Sequence, residues 1–171
     1  MRFPERASLA LLLLSGSLVS ASAQTSIPDA IAAPGETIVL TLHAEGAQVY
    51  ECKAGADGKP AWAFREPIAT LLLDGKTVGR HYAGPNWEHV DGSTVTAKAV
   101  ANAPGQSAGD IPWLKLEVTG HRGSGTLSGV TTVQRINTRG GVHAAPATKL
   151  ARCTARPMRR TTCSCARDRE R

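Results

Sequence analysis

Aromatic side chains are scarce in this chain, with three Trp, two Tyr and two Phe among 171 residues. A small domain with so few spends them on its core, which argues against Trp62, Trp87 and Trp113 forming a strip for stacking on sugar rings. Long hydrophobic runs are also missing, with one exception at the N-terminus, where Ala7 to Val19 includes Leu11, Leu12, Leu13 and Leu14. That run falls short of the roughly 18 to 20 residues that span a bilayer, and Ser15 and Gly16 interrupt it. Arg2 and Arg6 precede it and the small residues Ser20, Ala21, Ser22 and Ala23 follow, the pattern of an export signal. Cleavage after Ala23 is expected. No cysteine near that junction could accept a lipid, so the expected product is secreted or periplasmic, with no membrane anchor.

Excess charge is absent from the body of the chain. The formal net charge is +6, yet between Gln24 and Leu150 the Lys and Arg residues equal the Asp and Glu residues in number, eleven of each. The surplus lies in the signal and in the last 21 residues, where seven Arg face only Asp168 and Glu170. A basic domain that binds nucleic acid would need its charge on the folded body, so nucleic acid is not an expected partner.

Helical periodicity and the common catalytic signatures are lacking as well. No HExxH occurs, so a zincin site is not available, and the string Gly105-Gln106-Ser107-Ala108-Gly109, which spells G-x-S-x-G, lies in no strand-turn-helix context that would make it a hydrolase elbow. The glycines of Gly123 to Gly129 are spaced G-x-G-x-x-x-G, and a strand is predicted to follow them. A hairpin loop fits that context better than a dinucleotide or phosphate loop. No cofactor is expected.

What remains is a series of short runs rich in Val, Ile, Leu, Thr and aromatics, separated by Gly, Pro, Asp and Asn. Strands are predicted at Glu36–Ala44, Gln48–Lys53, Trp62–Phe64 with Ala69–Leu73, Thr77–Tyr82, Thr94–Val100, Trp113–Thr119 and Leu127–Asn137. The pairs Asp57-Gly58, Asp74-Gly75 and Asp91-Gly92 predict three hairpin turns. Leu114, Leu116 and Val118 alternate with Lys115 and Glu117, which puts one face of that strand in a core. The expected fold is all-β: one domain over residues 24–153, an antiparallel sandwich or small barrel of about seven to eight strands.

Four segments carry a family resemblance: GAQVYECKA (Gly46–Ala54), VGRHYAGPNWEHVDGS (Val78–Ser93), IPWLKLEV (Ile111–Val118) and VTTVQRINTRGG (Val130–Gly141). In order and spacing they resemble a domain-of-unknown-function family of exported bacterial and fungal proteins, with the motifs QxYEC, HYAGPxWE, IPWLLL and QRxNTxGG. The resemblance covers about Ile27 to Cys153. It implies secretion and a β-rich fold, and it brings no established activity and no catalytic residues. Relatives sometimes carry a dehydrogenase label, for which this sequence has no strand-turn-helix context.

The C-terminus departs from the family pattern, which looks as if it closes with a cysteine-containing turn and an aromatic strand of the type VPYTADYYFY. Here Ala155 to Arg171 is rich in Arg and Cys, and nothing in it reads as a strand. With CGN codons for arginine and TCN for serine, a one-base shift across Arg156 to Cys165 permits Pro-Tyr-Ala-Ala-Asp-Tyr-Val-Phe-Leu. Residues 154–171 are therefore expected to be an aberrant, out-of-frame basic tail, leaving an unpaired sheet edge. Four cysteines in an exported protein allow three full pairings. If Cys163 and Cys165 are out of frame, Cys52 and Cys153 are the native pair and are expected to form a disulfide. Closing that loop of about 100 residues would contribute on the order of 4 to 5 kcal/mol in the chain-entropy model. A Cys-x-Cys metal or redox site at Cys163 and Cys165 lacks further ligands at supportive spacing.

The densest polar and aromatic cluster is His81, Tyr82, Trp87, Glu88, His89 and Asp91. Its imidazoles and carboxylates could transfer protons or hold a metal, although a Gly-Pro-Asn turn accounts for Gly84 to Asn86, and no metal site is expected on spacing. On a strand, Arg135 and Asn137 share a face opposite Gln134. Arg135 could hold a carboxylate or sugar hydroxyl, or pair with an acid such as Glu117. The candidate ligand-binding residues are thus His81, Tyr82, Trp87, Glu88, Asp91, Arg135 and Asn137. The expected function is a binding or structural module outside the cytoplasm, with a carbohydrate or small ligand as its partner. The alternative is a secreted enzyme, with or without a metal, whose site is built on His81, Glu88 and Asp91.

Overall fold

Eight strands follow one another in the computed structural model, which describes residues 26–143 and 154–167. They are β1 (Glu36–Ala54), β2 (Pro60–Leu73), β3 (Lys76–Tyr82), β4 (Asn86–His89), β5 (Thr94–Ala103), β6 (Trp113–Arg122), β7 (Thr132–Gly140) and β8 (Thr154–Arg167). Each pairs antiparallel with the next, and β8 pairs with both β7 and β1, so the sheet closes into a barrel. The all-β expectation holds, in its barrel form.

The three Asp-Gly pairs lie in the β1–β2, β2–β3 and β4–β5 connections. Asp74 and Gly75 both take left-handed backbone angles (φ 49° and 76°), the twist-matched geometry of a two-residue hairpin. Two expected breaks are absent, because β1 and β2 each run on where interruptions were predicted. Gly46 is the reason in β1. A Cβ there would collide with the Ile68 carbonyl oxygen, so the glycine permits close contact with β2 rather than ending the strand. A register shift between Val49 and Tyr50 leaves Arg65 as an extra residue on β2, and Gln48 and Val49 on β1 are both buried.

The C-terminal segment corrects the sequence reading. Thr154–Arg167 is a strand, in register with β1 from Tyr50↔Thr154 to Glu36↔Arg167 and with β7 from Gly140↔Met158 to Thr132↔Cys165. Two ladders on either side outweigh its weak local strand preference. The edge expected to be open is therefore occupied. The export signal and Cys153, and with Cys153 the expected disulfide, lie outside the described residues; Cys52 is buried on β1 opposite Trp62.

Alternation divides the strands into a lumen face and an outer face. Leu42 and Ala44 of β1, Leu71 of β2, Trp87 of β4, Val95 and Ala97 of β5, Leu116 of β6 and Val133 of β7 pack as one buried cluster inside. Leu127 and Val130 from the β6–β7 loop join that cluster and plug one end of the barrel. The predicted strand start at Leu127 is thus a loop, and β7 begins at Thr132. On the outer face, Ile31 of a 3-10 turn (Asp29–Ile31) packs with Ala103, Trp113 and Ile136. Gln134 Nε2 donates to the Ile31 carbonyl at 2.6 Å and Lys115 Nζ to the Ala32 carbonyl at 3.0 Å, which fastens the turn there.

Candidate functional site

The wall of the barrel is incomplete on one side. β3 pairs with β2 only from Ala69 to Leu73, and β4 pairs with β5 only from Thr94 to Thr96, because the β3–β4 hairpin turns back at Ala83–Pro85. Beyond that tip, residues 60–67 of β2 pair only with β1, and residues 97–103 of β5 pair only with β6. Among the described residues, these two facing edges have no strand between them. The gap is a lateral window into the lumen.

Behind the window lies a cavity of about 660 Å³. Trp87, Ala97 and Leu116, all buried members of the core cluster, line it together with His81, Leu114 and Arg135. Phe64, Arg65 and Pro67 of β2, Gly84 and Pro85 of the hairpin tip, and Lys98 and Ala99 of β5 surround its mouth. Two sequence features make room for it. Ala97 and Ala99 put small side chains at the lumen positions of β5, and Pro67, which lacks an N–H, sits where β2 has no second partner.

His81 and Trp87 are directly opposed across β3 and β4, and their rings stack with centroids 4.2 Å apart. His81 Nδ1 lies 2.8 Å from the Asn86 carbonyl oxygen. A carbonyl only accepts, so Nδ1 carries the proton and the ring is fixed in orientation.

Arg135 projects from β7 beside Leu114, the residue opposite it on β6. Its Nε and Nη2 donate to the Pro112 carbonyl at 3.1 and 2.7 Å. Protein surrounds most of the guanidinium, and burial pulls its pKa down to about 10, against a smaller opposing influence from the Tyr50 phenol. Among the described residues no carboxylate forms an ion pair with it, so the expected alternative of pairing with Glu117 is not realised.

The structure brings His81, Trp87 and Arg135 to one cavity and places the remaining candidates elsewhere. Tyr82 and Glu88 alternate with His81 and Trp87 and therefore face outward. Glu88 accepts from Arg80 Nη2 at 2.9 and 3.0 Å and from the Tyr82 hydroxyl at 2.9 Å, with Arg122 at 3.4 Å. The Arg80 hydrogen bond, then the Tyr82 hydroxyl, hold its carboxyl below the usual range. Asp91 pins the plug loop: Oδ1 accepts from the Ser93 N–H and hydroxyl (2.9 and 2.6 Å), and Oδ2 accepts from the Thr126 N–H and hydroxyl (both 2.8 Å). These bonds, the Ser93 hydroxyl first, push its pKa far down. Asn137 takes a left-handed angle (φ 52°) at an irregularity in β7, and its Oδ1 is buried without a hydrogen-bond partner. The three Trp residues are likewise dispersed: Trp62 stacks on His143, Trp87 lines the cavity and Trp113 packs under Ile31.

Fold and site together define a small closed β-barrel, plugged at one end, with a side-opening apolar cavity. The chain belongs to the family described as "Protein of unknown function (DUF3455)", which matches residues 33–156, well over half of its length. No curated protein and no solved structure matches it.

Proposed function

We propose that this is an exported binding protein whose barrel cavity takes up a small, mainly apolar ligand. The observation that carries the reading is the cavity itself. Its volume of about 660 Å³ falls within the span of roughly 300 to 1,000 Å³ common for small-molecule sites, and most of its lining is carbon. The N-terminal export pattern supports a location outside the cytoplasm. Dispersal of the three Trp residues favours an apolar ligand over a sugar. The enzyme alternative draws less support, because His81 faces the lumen while Glu88 and Asp91 are held in separate outward-facing networks.

Titration of the mature protein with the neutral probe N-phenyl-1-naphthylamine tests this. Probe emission should rise on saturable binding while Trp fluorescence falls, since Trp87 lines the site. Ala99→Trp, which fills the mouth, should abolish the response and leave the unfolding midpoint nearly unchanged. A response that is absent, or that survives in Ala99→Trp, overturns the reading.

A further inference from the structure

We infer that the ligand is an amphiphile bearing a single carboxylate, with its headgroup on Arg135 and its apolar tail against Trp87, Leu114 and Leu116, and that it arrives through the window between β2 and β5. This rests on the binding reading above and specifies the chemistry of that site.

Arg135 is the anomaly from which the argument starts. It is a half-buried cation in a cavity lining shared with Trp87, Ala97, Leu114 and Leu116, and even partial burial of an unpaired charge is costly. Its two bonds to the Pro112 carbonyl do not account for that cost, since a neutral donor would serve one carbonyl as well. A guanidinium has five N–H bonds. Two are used, and the three that remain have no acceptor among the described residues. Those left over include one on Nη2 and both on Nη1, a parallel pair of the kind that grips the two oxygens of a carboxylate.

The rest of the lining agrees in sign. Arg65 and Lys98 stand at the mouth, and no Asp or Glu lines the cavity. Of the three Lys and Arg residues that line the cavity, Arg65 is offset by Glu66 at 3.0 Å, which leaves Lys98 and Arg135 without an ion-pair partner among the described residues. In a body whose charges otherwise balance, this is a local bias toward an anion, and a low-dielectric cavity strengthens its attraction. The apolar floor excludes a small hydrophilic anion as the best occupant, because it would leave Leu114, Leu116 and Trp87 facing water. A carboxylate on a hydrocarbon chain satisfies both parts.

The window explains access. The far end is stoppered by Leu127 and Val130, so a chain-like molecule reaches Arg135 from the side, between Phe64–Pro67 and Ala97–Ala99. Either a free fatty acid or an apolar acid of another skeleton presents the same chemistry.

Calorimetric titration of the mature protein with dodecanoate, with 1-dodecanol and with a rigid apolar acid, 1-naphthoate, all below aggregation thresholds, tests the assignment. Dodecanoate should bind roughly ten- to a hundredfold more tightly than dodecanol, the scale of one charge-assisted bidentate contact. Arg135→Met should remove that preference and leave the alcohol's affinity within about twofold, and Arg135→Lys should restore part of it. Tight binding of 1-naphthoate beside weak dodecanoate would assign the ring skeleton, and the reverse the flexible chain; both keep the carboxylate. Equal affinity of acid and alcohol for the unmodified protein overturns the inference and leaves the apolar-ligand reading standing. Binding of none of the three, with no probe response, removes the binding reading itself. The acid-to-alcohol comparison needs no substitution, so it decides even if Arg135→Met fails to fold.

Discussion

His81 and Trp87 face each other across the β3–β4 hairpin with ring planes 23° apart, and both line the cavity. The pair lies one rung from the Tyr82–Asn86 pair that closes the hairpin tip. Replacing His81 by Ala removes a stacked ring and leaves the Asn86 carbonyl without its donor. Destabilisation of about 2 kcal/mol is expected from the two losses together. Urea unfolding followed by Trp fluorescence measures it, and a midpoint unchanged from the parent would show that the stack has no structural weight.

Arg135 makes the opposite prediction. Burial lowers its pKa from the ordinary arginine value to about 10 in the fold, so the unfolded state holds the proton more tightly and the charge opposes folding at every pH below about 10. Stability from this group therefore rises as pH climbs above about 10 toward the ordinary arginine value. Arg135→Met removes the cost, and the freed Pro112 carbonyl belongs to an exposed residue that water can reach. Chemical denaturation at neutral pH should find the variant unchanged or more stable by up to about 1 kcal/mol, even as acid binding is lost. A loss of several kcal/mol would assign the arginine to the architecture instead.

Asp91 governs acid sensitivity. Its folded pKa is depressed far below the ordinary 3.8 by Ser93 and Thr126, so its stabilisation is complete above that value and lost progressively as pH falls below it. Asp91→Asn should melt at a lower temperature at neutral pH and show a flatter decline in acid. Melting curves between about pH 2 and 7 check this, and parallel declines for parent and variant would refute it.

The last strand holds a prediction about the gene. β8 lies between β1 and β7, and its removal would expose the edges of both. A chain ending at Cys153 should unfold without cooperativity and aggregate. The family match ends at residue 156, the third residue of β8. We expect resequencing to find one base gained or lost near the codons that follow Cys153, and the frame-corrected chain to melt above the encoded one, because Tyr and Phe suit a strand better than a run of Arg. An intact frame together with cooperative melting of the encoded chain would establish the basic strand as native.

Much of the barrel was legible because it is written in local rules: alternation in Trp113–Thr119, positive φ at Asp74-Gly75, and the opposite faces of Gln134 and Arg135. What escaped reading depends on distant neighbours. Gly46 reads as a break until β2 lies against it. No strand was predicted over Asn86–His89, because a four-residue strand carries too little pattern, and β8 is a strand mainly by virtue of its two flanking ladders. The candidate cluster around His81 was dense in sequence but divided in space, since a strand sends neighbouring side chains to opposite faces. Arg135 was visible as a donor. Its isolation inside an apolar lumen was not, because that depends on Leu114, Ala97 and Ala99 arriving from other strands.

Leu127 and Val130 make the barrel a cul-de-sac rather than a conduit. A ligand that enters by the gap between β2 and β5 finds no through-route past Leu127 and Val130, so uptake and release by that gap share one bottleneck. Residence time would then be governed by how readily those two edges part, and a substitution that stiffens the hairpin tip at Gly84 should slow arrival and departure by the same factor while leaving the equilibrium between them untouched.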